Sequence, residues 1–268
     1  MIATWWTIFK ISLEERLVYR ADFAFGTLMR FLPIITQIFL WKAIFTATRG
    51  DEIAGYAYHD FIAYYMLTMI SRALSSMPGL AEGISLQVRE GEIKKFLIQP
   101  VDMIGYLFLM RIAHKLVYYL IALAPVGLVF YLCRGFFSGW PDGPTLGAYF
   151  AALAMSFLLG FFLETVIGMI SFWWLEVSSL LFVYMLLNFF LSGHMFPLDI
   201  LPEPWESLFR FLPLQYLAYF PTAVFLGKVE GGDLIYGLGI QLAWVLFFAA
   251  LSRIAFHFGV KRYSGFGG

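Results

Sequence analysis

Apolar runs of about 20 residues recur along this chain, and no other feature narrows its fold as much. An α-helix rises about 1.5 Å per residue, so such a run crosses roughly 30 Å of hydrocarbon. Inside hydrocarbon every backbone N–H and C=O must find a partner within the segment, which a helix provides. Six spans are predicted on hydropathy, at 23–47, 60–81, 103–132, 146–172, 177–194 and 233–258. The polar links between them, such as Arg49-Gly50-Asp51-Glu52 and Gly139-Trp140-Pro141-Asp142, are too short for a soluble domain. Residues 1–268 therefore read as one all-α transmembrane domain. The charge content agrees: 13% of the chain is charged, about half of what a water-facing surface requires.

Residues 1–21 place Trp5, Phe9, Leu13 and Leu17 at i,i+4 steps, with Lys10, Glu14, Glu15 and Arg16 off that line. This pattern predicts an amphipathic helix lying in the membrane interface. The start of the chain has neither a basic n-region nor a small-residue cleavage site, so no cleaved signal peptide is expected. Lys and Arg bias sets the orientation. With a cytoplasmic N-terminus, that side collects Lys10, Arg16, Arg20, Arg89, Lys94, Lys95, Lys261 and Arg262. The opposite side receives Arg49, Arg134, Arg210 and Lys228, so both termini are expected inside. Zero net charge gives no pointer to nucleic acid. A single cysteine and four scattered histidines leave no disulfide and no metal cluster, and no cofactor is expected.

The link after the second span is the largest predicted cytoplasmic segment. Within 84–98, Ile93, Phe96 and Leu97 form a short apolar stripe, and Arg89, Glu90, Glu92, Lys94 and Lys95 supply mixed charge. A short amphipathic helix of this kind can seat its apolar face in a protein groove while its charges fix register. A solvated turn with snorkelling lysines is the simpler alternative.

Two segments carry a family resemblance. Arg89-Glu90-Gly91-Glu92-Ile93-Lys94-Lys95-Phe96-Leu97-Ile98-Gln99-Pro100 resembles the loop of ATP-binding cassette (ABC) type-2 exporter permeases, where a glycine-acidic-apolar stretch precedes a leucine-rich helix closed by proline. Ser192-Gly193-His194-Met195-Phe196-Pro197, followed by Phe211-Leu212-Pro213-Leu214, is similar to that family's segment after the fifth span. The resemblance covers essentially the whole chain. It implies a coupling helix at 84–98 that receives the motion of an ATP-binding subunit, a connecting helix at 1–21 and short re-entrant helices at 195–230 on the outer side. It also implies a second permease chain, identical or related, a bacterial cytoplasmic membrane, and surrounding lipids as partners. No G-x-x-x-x-G-K-[ST] loop is present, so ATP hydrolysis falls to another chain and this one is not expected to be an enzyme.

Ionisable groups at bilayer depth each need a partner or a path to water. Arg30, Arg111 and Lys115 lie in spans rising from the cytoplasm and lean back toward it, so snorkelling is expected. Arg72 and Glu164 lie in descending spans and lean the other way. Glu164 shares a line of small residues with Ala148, Ala152, Ser156, Gly160 and Gly168, and Arg72 neighbours Ser71, Ser75 and Gly79. Such lines mark close helix contacts, so Arg72 and Glu164 are expected to approach each other between the second and fourth spans. A packing role is favoured over a substrate contact. Asn188, the only asparagine, either bonds a neighbouring helix or lines a path.

The favoured reading is a permease that forms, with a second permease chain, a path for an amphipathic or lipid-like substrate. An ion-coupled secondary transporter would need paired carboxylates or broken helices in repeated positions. An intramembrane lipid-modifying enzyme would need a His-Asp, Ser-His or metal constellation. Neither pattern stands out in the sequence.

Overall fold

The computed structural model describes residues 2–18, 26, 29, 32–48, 52–53, 55–137, 139–174 and 176–263. Residues 19–21, most of the first span before residue 32, Arg20, Arg30, Arg49, Gly50 and Asp51 lie outside the described residues, as do the side chains of Arg16 and Leu17. The chain folds as two compact units, Met1–Met66 with Pro100–Trp140, and Leu67–Gln99 with Pro141–Gly268.

In the first unit, α1 (Ile2–Val18) lies along α6 (Met103–Leu132). Ser12 of α1 is buried and Trp5, Phe9 and Leu13 are half-buried, whereas Trp6 and Ile11 are exposed. The predicted i,i+4 line is thus the face nearer the protein. Asp102 caps α6 by accepting from Gly105 N at 2.7 Å, and the Trp5 ring would lie 3.1 Å from a Cβ at Gly105. Lys115 of α6 is buried in the protein. α2 (Leu32–Thr48) leads to a two-residue hairpin, β1 (Glu52–Ile53) and β2 (Tyr56–Ala57), paired antiparallel through a left-handed Gly55. The hairpin feeds the start of α3 (Tyr58–Ser75), where Asp60 accepts from Ala57 N at 3.1 Å. Aromatic rings hold this corner together. Trp41 stacks on Phe61 at 3.9 Å, and Phe45 meets Tyr58 and Phe61 edge-on.

The second unit is organised around α7 (Gly143–Met169). α3 ends at Ser75, and after a four-residue break the chain resumes as α4 (Leu80–Arg89). A Cβ at Gly160 would overlap the Ser75 carbonyl, and one at Gly168 would come within 2.9 Å of the Ala81 backbone. The contact therefore advances along α7 as it advances from α3 into α4, so the broken helix and α7 run parallel. Of the small-residue line of the sequence, Ala152, Ser156, Gly160 and Gly168 are buried and Ala148 is half-buried. Small side chains let backbones approach where lipid provides no hydrophobic drive between helices.

Beyond α7, a 3₁₀ turn at Ile170–Phe172 leads to α8 (Ser178–Leu191). The proline-rich segment then forms a 3₁₀ turn at Leu198–Ile200, α9 (Trp205–Phe211), a 3₁₀ helix at Pro213–Leu217 and α10 (Tyr219–Phe225). Much of its first half is exposed, whereas Gln215 to Val224 is buried. α11 (Gly231–Arg262) closes the unit against α7. One polar node joins three elements. Gln241 Nε2 of α11 donates to Ala152 O at 2.9 Å and Tyr216 O at 3.2 Å, and Ser156 Oγ donates to Tyr216 O at 2.6 Å.

Three helical stretches, Met103–Leu132, Gly143–Phe172 and Gly231–Arg262, are individually long and apolar enough to cross a membrane. Leu32–Ala47 and Ser178–Leu191 are apolar but shorter. The predicted second span, 60–81, is not one helix. Pro78 has no N–H to continue the ladder, and Gly79 turns left-handed at φ 70° to start α4.

Gly160→Ala should destabilise the protein by about 1–3 kcal/mol, or block folding outright, because the methyl meets backbone. Gly147→Ala on the same helix meets nothing within 4 Å and should be neutral or stabilising by up to about 1 kcal/mol. Thermal unfolding of the purified protein in detergent checks the contrast; equal losses would show that the Gly160 contact is not close.

Candidate functional site

Two places gather the polar chemistry of the second unit. The first is the turn from α4 to α5 (Lys94–Ile98). The expected single helix over 84–98 is two helices, because Gly91 turns left-handed at φ 79°. Glu90 N, Gly91 N and Ile93 N then satisfy the last carbonyls of α4, at Leu86, Val88 and Gln87. This geometry sorts the predicted partner-binding residues. Ile93 is fully buried and Phe96 is 8% exposed, so both anchor the turn to its own chain. Arg89, Glu90, Glu92, Lys94 and Leu97 are exposed, Lys95 is half-exposed, and Ile98, which the stripe omitted, is 82% exposed.

Charge pairs rigidify this surface only weakly. Lys95 Nζ lies 3.8 Å from Glu92, and Arg89 reaches Glu176 at 3.5 Å, just before α8. The Ser178 hydroxyl and then its amide donate to Glu176, and together with Arg89 they hold its carboxyl below the usual range. A depressed acid contributes its stability fully above the ordinary carboxylate pKa and loses it as pH falls through the lowered value. The group is exposed, so this contribution is small.

The second place is the break between α3 and α4. Its backbone needs an acceptor, and Glu164 of α7 provides one: Met77 N donates to Glu164 Oε1 at 3.3 Å. Arg72 lies one turn before the Ser75–Gly160 contact and Glu164 one turn after it, so the two charges flank the same junction. The Arg72 guanidinium sits 5.8 Å from the Phe189 ring centroid of α8. Arg72 also shares the lining of one pocket with Ser75, Ser76, Asn188 and Ser192. Asn188 Nδ2 donates along its own helix to Tyr184 OH at 3.5 Å. The structure thus unites Arg72 with Asn188, two residues singled out separately in the sequence. The serines were missed as pocket residues; the Ser75-Ser76-Met77-Pro78-Gly79 string, two hydroxyls before two helix breakers, was their available signal. No group of three or more His, Cys, Asp or Glu placed to hold a metal occurs among the described residues.

Long apolar helices packed through small residues, with polar groups reserved for a helix break and one buried node, define a helical integral membrane protein. The family model for ABC-2 family transporter proteins matches residues 31–267, and the chain belongs to that family. It is accordingly a membrane-embedded permease component of an ABC transporter, working with an ATP-binding partner and not itself the ATPase. No curated protein matches the chain.

Glu164→Leu removes the acceptor of Met77 N and should cost about 1–3 kcal/mol in detergent unfolding. Glu164→Gln keeps an amide oxygen in place and should retain most of that stability. If Gln proves as damaging as Leu, the charge of Glu164 matters more than its hydrogen bond.

Proposed function

We propose that this chain is one permease half of an exporter, paired with a second permease chain and driven by ATP-binding subunits docked at the α4–α5 turn. The observation that carries this reading is the turn itself. Buried Ile93 and Phe96 fix it to its chain, while Leu97, Ile98 and charges of both signs, Glu90 and Glu92 followed by Lys94 and Lys95, face outward. A buried anchor under an exposed, charged apolar tip suits an element that receives force from a partner. The docking surface is Arg89, Glu90, Glu92, Lys94, Lys95, Leu97 and Ile98.

On this reading the chain is a single permease domain crossing a bacterial cytoplasmic membrane six times, with both termini cytoplasmic. The buried part of 195–230 is re-entrant from the outer side, and α3 with α4 makes the second crossing. The parallel run of α3 and α4 with α7 supports that order, since spans two and four of a six-span chain share direction. Closure of the ATP-binding subunits moves α5 and switches the gap between permeases from inward- to outward-open. Arg72 and Glu164 act together as opposite charges holding the α3–α4 break against α7. Cargo is amphipathic or lipid-like, because the exposed residues of α8 around Asn188 are chiefly apolar and aromatic.

The paired change Glu92→Lys with Lys95→Glu keeps the internal ion pair but reverses its polarity toward a partner. It should abolish cargo-stimulated ATP turnover in the reconstituted complex while leaving the unfolding temperature of the isolated chain unchanged. Leu97→Asp with Ile98→Asp should release the ATP-binding subunit during purification. Unchanged turnover together with unchanged co-purification would sink the docking assignment.

A further inference from the structure

Arg72 is exposed on the surface of this chain, within the broken helix that the permease reading takes as its second crossing. An arginine there is costly unless what lies against it is polar or anionic. The pocket it enters is built to match. Its nine lining residues contribute one cation, four side chains that can donate hydrogen bonds and no carboxylate. The donors are Ser75 and Ser76 at the helix break, Asn188 on α8 and the buried Ser192 at its end. The backbone behind them is fixed, because Tyr219 N donates to Ser192 O at 2.9 Å and Glu164 takes the Met77 amide. The helix that supplies Asn188 to the pocket also exposes Met185, itself in the lining, and Phe182, Leu186 and Phe190 along its length.

From this juxtaposition we infer that the Arg72 pocket binds the anionic head of an amphiphile, a phosphate or carboxylate, while its tail lies along the exposed face of α8. The inference rests on the permease reading and names the class of cargo that reading left open. A guanidinium has five N–H donors in a planar fork that matches such oxyanions. The Phe189 ring, also in the lining, lies under the guanidinium at 5.8 Å and adds a cation–π contact. Cationic or neutral amphiphiles find the same apolar face but no matching head site.

The experiment uses the purified full chain in a neutral maltoside detergent, with radiolabelled dodecyl phosphate as probe. Saturable binding is expected, and Arg72→Gln should weaken it by about 10–100-fold, the worth of a charge-assisted bond. Arg72→Lys, which keeps the charge without the fork, should fall between the two. Asn188→Leu should weaken binding severalfold and stands in for Arg72→Gln if that variant does not fold. Neither inorganic phosphate nor dodecyltrimethylammonium should compete at concentrations where unlabelled dodecyl phosphate does. Unchanged binding in Arg72→Gln overturns the proposal. So does competition by inorganic phosphate as strong as that by dodecyl phosphate, which would mean a plain anion site. If Arg72→Gln alters the oligomeric state and leaves probe binding intact, Arg72 serves the contact between chains and the proposal falls. The Glu92→Lys, Lys95→Glu chain should bind the probe normally, so failure of the docking assignment and failure of the head-group site are read separately.

Discussion

The second unit depends on one close approach, the backbone of α3 and α4 against Gly160 and Gly168 of α7. In water two helices are driven together by the apolar area they hide. In lipid that drive is absent, since tails are as apolar as leucine, and what remains is van der Waals contact and hydrogen bonding. Contact at backbone distance supplies the first. It also brings the Glu164 carboxylate within reach of Met77 N, which supplies the second. A larger residue at Gly160 would remove both, so packing and polar satisfaction are here one constraint.

That constraint explains why a broken helix is tolerated. Pro78 and Gly79 interrupt the ladder and leave amides that need other acceptors. The carboxylate of a parallel helix takes the Met77 amide, and a polar pocket lined by Ser75 and Ser76 borders the break. Met77 is buried while Pro78 and Gly79 are exposed, so the bond to Glu164 satisfies the break where water is excluded.

Much of the architecture was legible because membrane spans are written in long runs. The predicted third span, 103–132, coincides with α6, whose start is marked by the Asp102 cap. The line of small residues from Ala152 to Gly168 correctly marked a buried helix face. Other features depended on neighbours distant in sequence and could not be read locally. Pro78-Gly79 signals that a helix stops, but not that it resumes in the same direction; Gly168, about ninety residues away, decides that. Likewise Ile93 and Phe96 have the periodicity of a docking stripe, yet the turn at Gly91 rolls them inward and exposes Ile98 instead. The prolines show that the 195–230 segment is cut into short pieces, but not that Ser156 and Gln241 hold its second half in the interior.

The node at Tyr216 also bears on the order in which the protein is assembled. Ser156 and the Tyr216 carbonyl are synthesised before residue 241, so a nascent chain halted between them holds that carbonyl by a single hydroxyl. Gln241 arrives on the last helix and bonds Ala152, Ser156 and Tyr216 at once. Helix α11 is therefore the closing piece: a chain ending before Gln241 keeps the Ser156 bond to Tyr216 and the Tyr219 bond to Ser192, but lacks the amide that cross-links Tyr216 to Ala152.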